Sequence, residues 1–229
     1  MKKLVVVAIS TALLAACGGG SSSSTPTPRP GPSPTIQPNG IYKSADAVMV
    51  IDTAIANGVL AADSTNNLYS FDSATVNNET LALKGVRLWS DGLFVHDPEQ
   101  AVSITFDGNT ASAMAVIDGT SFVHSFTKQP DSLALNQITG THTNADDGST
   151  WAIDSEGNIA INGMCTFSGT LTKNNHYYRA SVTATACTPS SYDGNYNGAA
   201  FTVSDGGTIQ LVGALYNDTN MIWGTVPVN

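Results

Sequence analysis

Two runs decide the fold: Cys165-Thr166-Phe167-Ser168-Gly169-Thr170-Leu171-Thr172 and Tyr177-Tyr178-Arg179-Ala180-Ser181-Val182-Thr183-Ala184-Thr185-Ala186, separated by Lys173, the pair Asn174-Asn175 and His176. In both, apolar or small residues alternate with serine and threonine, the period-two pattern of strands whose side chains point to opposite faces. The asparagine pair suits a tight hairpin turn, because asparagine tolerates the positive φ such turns need. Folding the runs about that pair sets Cys165, Phe167 and Leu171 on one face with Ala180, Val182 and Ala184. Ser181, Thr183 and Thr185 then face outward. The same alternation leaves Cys187 on the wrong face for a bond to Cys165. A bulge, or the strand end forced by Pro189, would bring the sulfurs together; two buried free thiols are the alternative.

Working outward, the pattern repeats from Ile138 to the end of the chain. Strands are expected over Ile138–Asn144, Ser149–Asp154, Asn158–Asn162, Cys165–Thr172, His176–Ala186, Tyr196–Val203, Thr208–Tyr216 and Asn220–Val226. The turns between them are rich in Asp, Asn and Gly, such as Asp146-Asp147-Gly148, Asp193-Gly194 and Asp205-Gly206-Gly207. The preceding ninety or so residues read similarly, with strands expected over Gly40–Ser44, Val48–Asp52, Asn67–Asp72, Thr80–Trp89, Leu93–His96, Ala101–Asp107, Thr110–Ile117 and Phe122–Thr127. Within Ser44–Ala62 the residues Ala45, Val48, Ile51, Ile55 and Val59 also fit a helical spacing, so a short helix is an open alternative there. The expected class is all-β, an antiparallel meander forming one or two small barrel or sandwich units. Closure would remove the exposed edges.

The chain's beginning is of another kind. Lys2 and Lys3 precede an apolar run from Leu4 to Leu14, interrupted by Ser10 and Thr11 and too short for a bilayer core that takes about 20 residues. A secretory signal fits better, with an ordinary cleaved signal peptide as the rival reading. The tetrad Leu14-Ala15-Ala16-Cys17 resembles the bacterial lipobox. That resemblance implies removal of residues 1–16, lipidation of Cys17 and anchoring in a membrane, and Gly18 in place of aspartate implies the outer membrane. Two or three acyl chains hold a protein firmly where one would bind only marginally. Residues 17–39 would then be a disordered tether: glycines and serines, followed by six of the chain's 10 prolines. Residues 40–136 and 137–229 are the expected β units.

Charge narrows the partners. Nine basic residues less Lys2 and Lys3, against 18 acidic ones, leave a mature net charge of −11. Such a surface repels nucleic acid, which is not expected as a partner. With Cys17 taken by lipid, Cys165 and Cys187 remain as an even pair in an oxidising compartment.

In the second block, Gly194-Asn195-Tyr196-Asn197-Gly198-Ala199-Ala200, then Gly207 and Leu211-Val212-Gly213, resembles the last hairpin of barrels in transferrin-binding-protein-like surface lipoproteins. It is also similar to uncharacterised proteobacterial lipoproteins that open on Gly-Xaa-Tyr-Xaa-Gly and carry a cysteine-bearing hairpin. The resemblance implies a small surface barrel and brings no ligand-binding residues with it.

Chemistry-bearing motifs are sparse. The Gly-Xaa-Ser-Xaa-Gly elbow of α/β hydrolases is missing, while triads scattered in sequence stay open. His96, His124, His142 and His176 lack the i, i+4 spacing of helical zinc sites. Asp154-Ser155-Glu156-Gly157-Asn158 and Asp63-Ser64-Thr65-Asn66-Asn67 read as hairpin turns rather than calcium loops. Trp89, Trp151 and Trp223, with Tyr177 and Tyr178, would stack on sugars if exposed and pack a core if buried. No catalytic set, metal site or cofactor is expected.

The functional expectation is a non-enzymatic envelope lipoprotein, anchored in the bacterial outer membrane through Cys17, that binds something or supports the envelope. Its periplasmic or outward orientation is left open. A surface binder of a small ligand or host protein, for nutrient capture or adhesion, is the alternative, with protein or carbohydrate as ligand. A hydrolase with an unrecognised site is third.

Overall fold

The computed structural model describes residues 36–90 and 92–228. The expected signal, Cys17 and nearly all of the tether lie outside them. Sixteen strands and one short helix follow in chain order. The first eight are β1 (Gly40–Lys43), β2 (Ala47–Ile51), β3 (Val59–Asp63), β4 (Asn67–Asn77), β5 (Thr80–Ser90), β6 (Leu93–Asp107), β7 (Thr110–Ile117) and β8 (Thr120–Gln129). After α1 (Leu135–Ile138) come β9 (Gly140–Thr143), β10 (Thr150–Ile153), β11 (Asn158–Asn162), β12 (Thr166–Asn174), β13 (Tyr177–Thr185), β14 (Gly194–Asp205), β15 (Thr208–Tyr216) and β16 (Met221–Pro227).

The protein is all-β, two meanders in succession: within each, every strand pairs antiparallel with its neighbours in sequence. Strands β1 to β8 close into a barrel through β1 and β8, with Ile41 opposite Gln129. Strands β9 to β16 form a second, barrel-like sheet whose end strands approach where Asn144 Nδ2 donates to the Thr225 carbonyl at 3.2 Å. Asn66, Asn78, Asp118 and Asn175 take positive φ between strands, as the turn residues require.

Two expectations in the first block change. The helical alternative within Ser44–Ala62 is replaced by β2, a turn and β3, a strand the sequence reading did not propose. Both strands are apolar on both faces: Met49, Ile51 and Val59 point into the barrel, while Val50, Leu60 and Ala62 pack outside it. Burial on both faces blurs the period-two signal. The segments Leu93–His96 and Ala101–Asp107 are one strand, β6. Asp97-Pro98-Glu99-Gln100 resembles a turn but forms a bulge, in which the Asp97 carboxylate accepts the Glu99 and Gln100 amides at 2.9 and 3.1 Å. Across the ladder Gly85 takes φ +75, and the register shifts between Lys84 and Val86.

The decisive hairpin has its expected register, Phe167 opposite Ala184 and Leu171 opposite Ala180. Trp151, Ile153, Val182 and Ala184 are buried, whereas Ser181, Thr183 and Thr185 are exposed. Cys165 and Cys187 are bonded. The alternation that would have kept them apart ends at Ala186, whose φ of +54 returns Cys187 to the inner face.

Three clusters hold the molecule together. The second sheet is filled by side chains including Trp151, Phe167, Tyr196 and Leu211. Gly213 makes room for Trp151, since a Cβ there would stand 2.8 Å from the indole. The barrel interior holds Tyr42, Ile51, Leu81 and Ile104. Between the sheets, Val50, Leu60 and Leu68 on the barrel wall pack against Phe201, Val203 and Val212 on β14 and β15. Full burial of each such side chain contributes roughly 1.5–3 kcal/mol. The connector joins the second sheet from Ser132 onward: the Leu133 amide donates to Thr202 Oγ1 at 2.9 Å, and Ile138 is wholly buried in the second core.

Candidate functional site

Antiparallel succession sets the two ends of the first barrel. The β1–β2, β3–β4, β5–β6 and β7–β8 turns share one end; the chain enters at Gly40 and leaves after Gln129 at the other. The entry end is filled. Tyr42 is 1% exposed, donates from its hydroxyl to the Pro38 carbonyl at 2.8 Å and lies edge-on to Phe106.

The opposite end is a mouth. Above Ile51 and Leu81 the inward positions include Ala47, Ala61, Ala113 and Ala115, whose small side chains leave a cavity of about 510 Å³ walled by Met49, Phe71, Leu83 and Val102. An eight-stranded barrel is just wide enough either to be filled by its own side chains or to hold one small ligand. Here its lower half does the first and its upper half leaves room for the second. The rim carries an apolar surplus at the β7–β8 tip, where Ile117, Phe122 and Val123 are 48, 54 and 65% exposed. A smaller space of about 340 Å³ in the second sheet is lined by Trp151, Ile161, Phe167 and Trp223. Two grooves, of about 470 and 490 Å³, follow the seam between the sheets and are lined by charged groups such as Lys43, Asp205 and Arg179.

Two polar clusters flank the mouth. On one side the Asp63 carboxylate accepts from Thr65, Asn67 and the Tyr69 hydroxyl, the last at 3.1 Å. Burial alone would raise this carboxyl, but the hydrogen bonds from Thr65 and Asn67 prevail and hold it below its ordinary value. Tyr69 is pushed up to about 12, first by burial and then by the neighbouring Asp63 charge.

On the other side stand Ser44, Asp46 and His124, the residue types of a hydrolytic triad. His124 Nε2 lies 2.9 Å from Ser44 Oγ and 3.3 Å from Asp46 Oδ1, and its ring packs on Phe126. A triad requires the carboxylate on the ring nitrogen opposite the one that faces the serine. Here both share Nε2, and Ser44 Oγ itself donates to Asp46 at 2.8 Å while accepting the Ala47 amide at 2.9 Å. The set closes the β1–β2 turn and supplies polar groups to the rim, without activating a nucleophile.

The other sequence candidates are structural. His96 and Arg87 both meet Asp72, at 2.7 and 2.8 Å, and hold that carboxyl low, chiefly through the His96 hydrogen bond. His142 is buried with Nε2 2.9 Å from the Ile138 carbonyl, and His176 pairs with Asp131 at 2.6 Å. Asp154 accepts the Glu156 and Asn158 amides, a turn rather than a calcium loop. Trp89, Trp151, Tyr177 and Tyr178 are buried in the cores, and Trp223 is half-buried. Among the described residues no group of three or more His, Cys, Asp or Glu is placed to hold a metal ion, and no helix is long and apolar enough to cross a membrane.

The sequence reading did not single out the mouth. Its signal was present in Met114, Val116, Ile117, Phe122 and Val123, a crowd of apolar residues around the Asp118-Gly119 turn, where a solvent-facing hairpin tip would be polar. No family model matches the chain, and no curated protein and no solved structure matches it either.

Proposed function

We propose that this chain is a lipid-anchored envelope protein, non-enzymatic, whose first barrel holds a small apolar or amphipathic molecule in its mouth. The observation that carries this reading is the unfilled, apolar upper half of a closed barrel, about 510 Å³ with an exposed apolar rim. Ligand sites are typically apolar cavities of about 300–1,000 Å³ with a few convergent polar groups. Asp63 and Tyr69 on one flank, with Ser44 and His124 on the other, suit a ligand whose polar end stays at the rim. The anchor rests on the lipobox-like Leu14-Ala15-Ala16-Cys17, and a Cys165–Cys187 disulfide accords with an oxidising compartment.

The test is a titration of a chain beginning at residue 36 with an apolar naphthalene-sulfonate fluorophore. One saturable site is expected, lost in Ala113→Phe, whose ring fills the cavity without unfolding the barrel. Equal binding by that variant contradicts the reading. Anchoring is tested separately: Cys17→Ser should abolish palmitate incorporation, and normal labelling of that variant would overturn it.

A further inference from the structure

The ladder that joins β6 to β7 in the barrel covers only part of β6. It runs from Val102 opposite Ala115 to Asp107 opposite Thr110. Above it β6 continues for nine residues, Leu93 to Ala101, paired on one side with β5: Ser90 opposite Leu93, Leu88 opposite Val95, Val86 opposite Asp97. On its other side no strand pairs with it among the described residues. A side chain caps the fork, with Gln100 Nε2 donating to the Val116 carbonyl at 3.2 Å and to that of Ala101 at 2.8 Å.

Protein sheets blunt such edges with lysine, proline or a bulge. Here Pro98 and the bulge end the open edge, but the five residues before them carry Leu93, Phe94 and Val95, exposed by 58, 39 and 44%. A row of open backbone donors and acceptors beside the exposed side chains of Leu93 and Val95 matches one kind of occupant, another extended polypeptide. Charge decides which. Asp97 borders the edge, Glu99 beside it is paired with Lys84 at 2.9 Å, and the whole chain carries 18 acidic against 9 basic residues, so a second copy would bring a like charge.

We infer that the Leu93–Asp97 edge of β6 takes up an extended segment of a partner protein that alternates apolar and basic residues, adding it as a strand. This site is separate from the mouth and does not depend on what the mouth holds.

The probe is a capped nine-residue peptide alternating valine and lysine, titrated against the chain from residue 36 and followed by amide hydrogen exchange. Slowed exchange at Leu93–Asp97 is expected, with affinity falling as salt is raised. Leu93→Lys and Val95→Lys should each weaken binding by roughly tenfold, as a like charge meets the peptide. Both positions are exposed, so these variants keep the fold. A peptide N-methylated at alternate residues should not bind, because it cannot complete the ladder. Equal binding of the methylated peptide, protection at the β7–β8 tip instead, or salt-resistant dimerisation of the protein through this edge would each overturn the inference.

Discussion

The carboxylate of Asp52, at the end of β2, accepts a hydrogen bond of 3.1 Å from the hydroxyl of Tyr177, 125 residues later at the start of β13. Asp52 is 5% exposed and also receives Asn174 Nδ2 at 2.5 Å and the Ala54 amide at 3.0 Å. The bond ties a turn of the barrel to the hairpin that decides the fold of the second sheet. Polar closure at Asp52 therefore continues the apolar seam formed by Val50 and Leu60 against Phe201 and Val212.

Asp52→Ala should destabilise the protein by about 1–3 kcal/mol, because the buried Tyr177 hydroxyl and the half-buried Asn174 amide lose their acceptor. A double-mutant cycle with Tyr177→Phe, read by urea unfolding, should give a coupling of about 0.5 kcal/mol or more. Strict additivity would show that the two residues do not act together.

Val182 and Thr183 are adjacent and face opposite ways. Val182 is 4% exposed and so tightly opposed that a Cβ on Gly169 would stand 2.8 Å from its Cγ1. Val182→Asp should unfold the second sheet by burying an unpaired charge. Thr183→Asp should shift stability by no more than about 0.5 kcal/mol. Equal tolerance of the two, measured by circular dichroism and denaturant midpoint, is the outcome that would contradict the register.

The bond between Cys165 and Cys187 spans a separation of 22 residues. In a chain beginning at residue 36, replacing both cysteines by alanine should cost roughly 3 kcal/mol if the bond acts by restricting the unfolded chain. The unreduced, denatured protein should not react with a maleimide. Two reactive thiols per chain would rule the bond out.

Burial holds Tyr42 and Tyr69 protonated, each pushed up to about 12 from an ordinary 10.0. In the window between, the unfolded chain releases protons that the folded one keeps. The stability tied to these two groups is therefore complete below about pH 10 and falls as the pH rises toward about 12. Absorbance at the tyrosinate band should show at least two of the seven tyrosines ionising late, together with loss of sheet signal. Ionisation of all seven in one step near pH 10, with the fold intact, would refute this.

Fold class was legible because hairpins announce themselves locally. Asn174-Asn175 and the alternation of Val182 with Thr183 contain both the turn and the buried face. What escaped the reading lay where that alternation is masked by burial on both sides, as in β3 with Val59 inside the barrel and Leu60 outside it. Ala186 escaped for another reason, since one left-handed alanine reverses the phase of everything after it and no neighbouring residue signals it. The mouth was harder still. It depends on four alanines from three strands, β2, β3 and β7, meeting at one end of a barrel, and closure, unlike a turn, is a property of the whole meander.

The most direct test of the central claim is methyl NMR of a chain beginning at residue 36, titrated with a medium-chain fatty alcohol. Saturable shifts confined to the methyl groups of Ala61, Ala113, Ala115 and Ile117 are the predicted result. Shifts at Val48, Val203 and Val212 along the seam, or none that saturate, would contradict the assignment of the barrel mouth as the binding site.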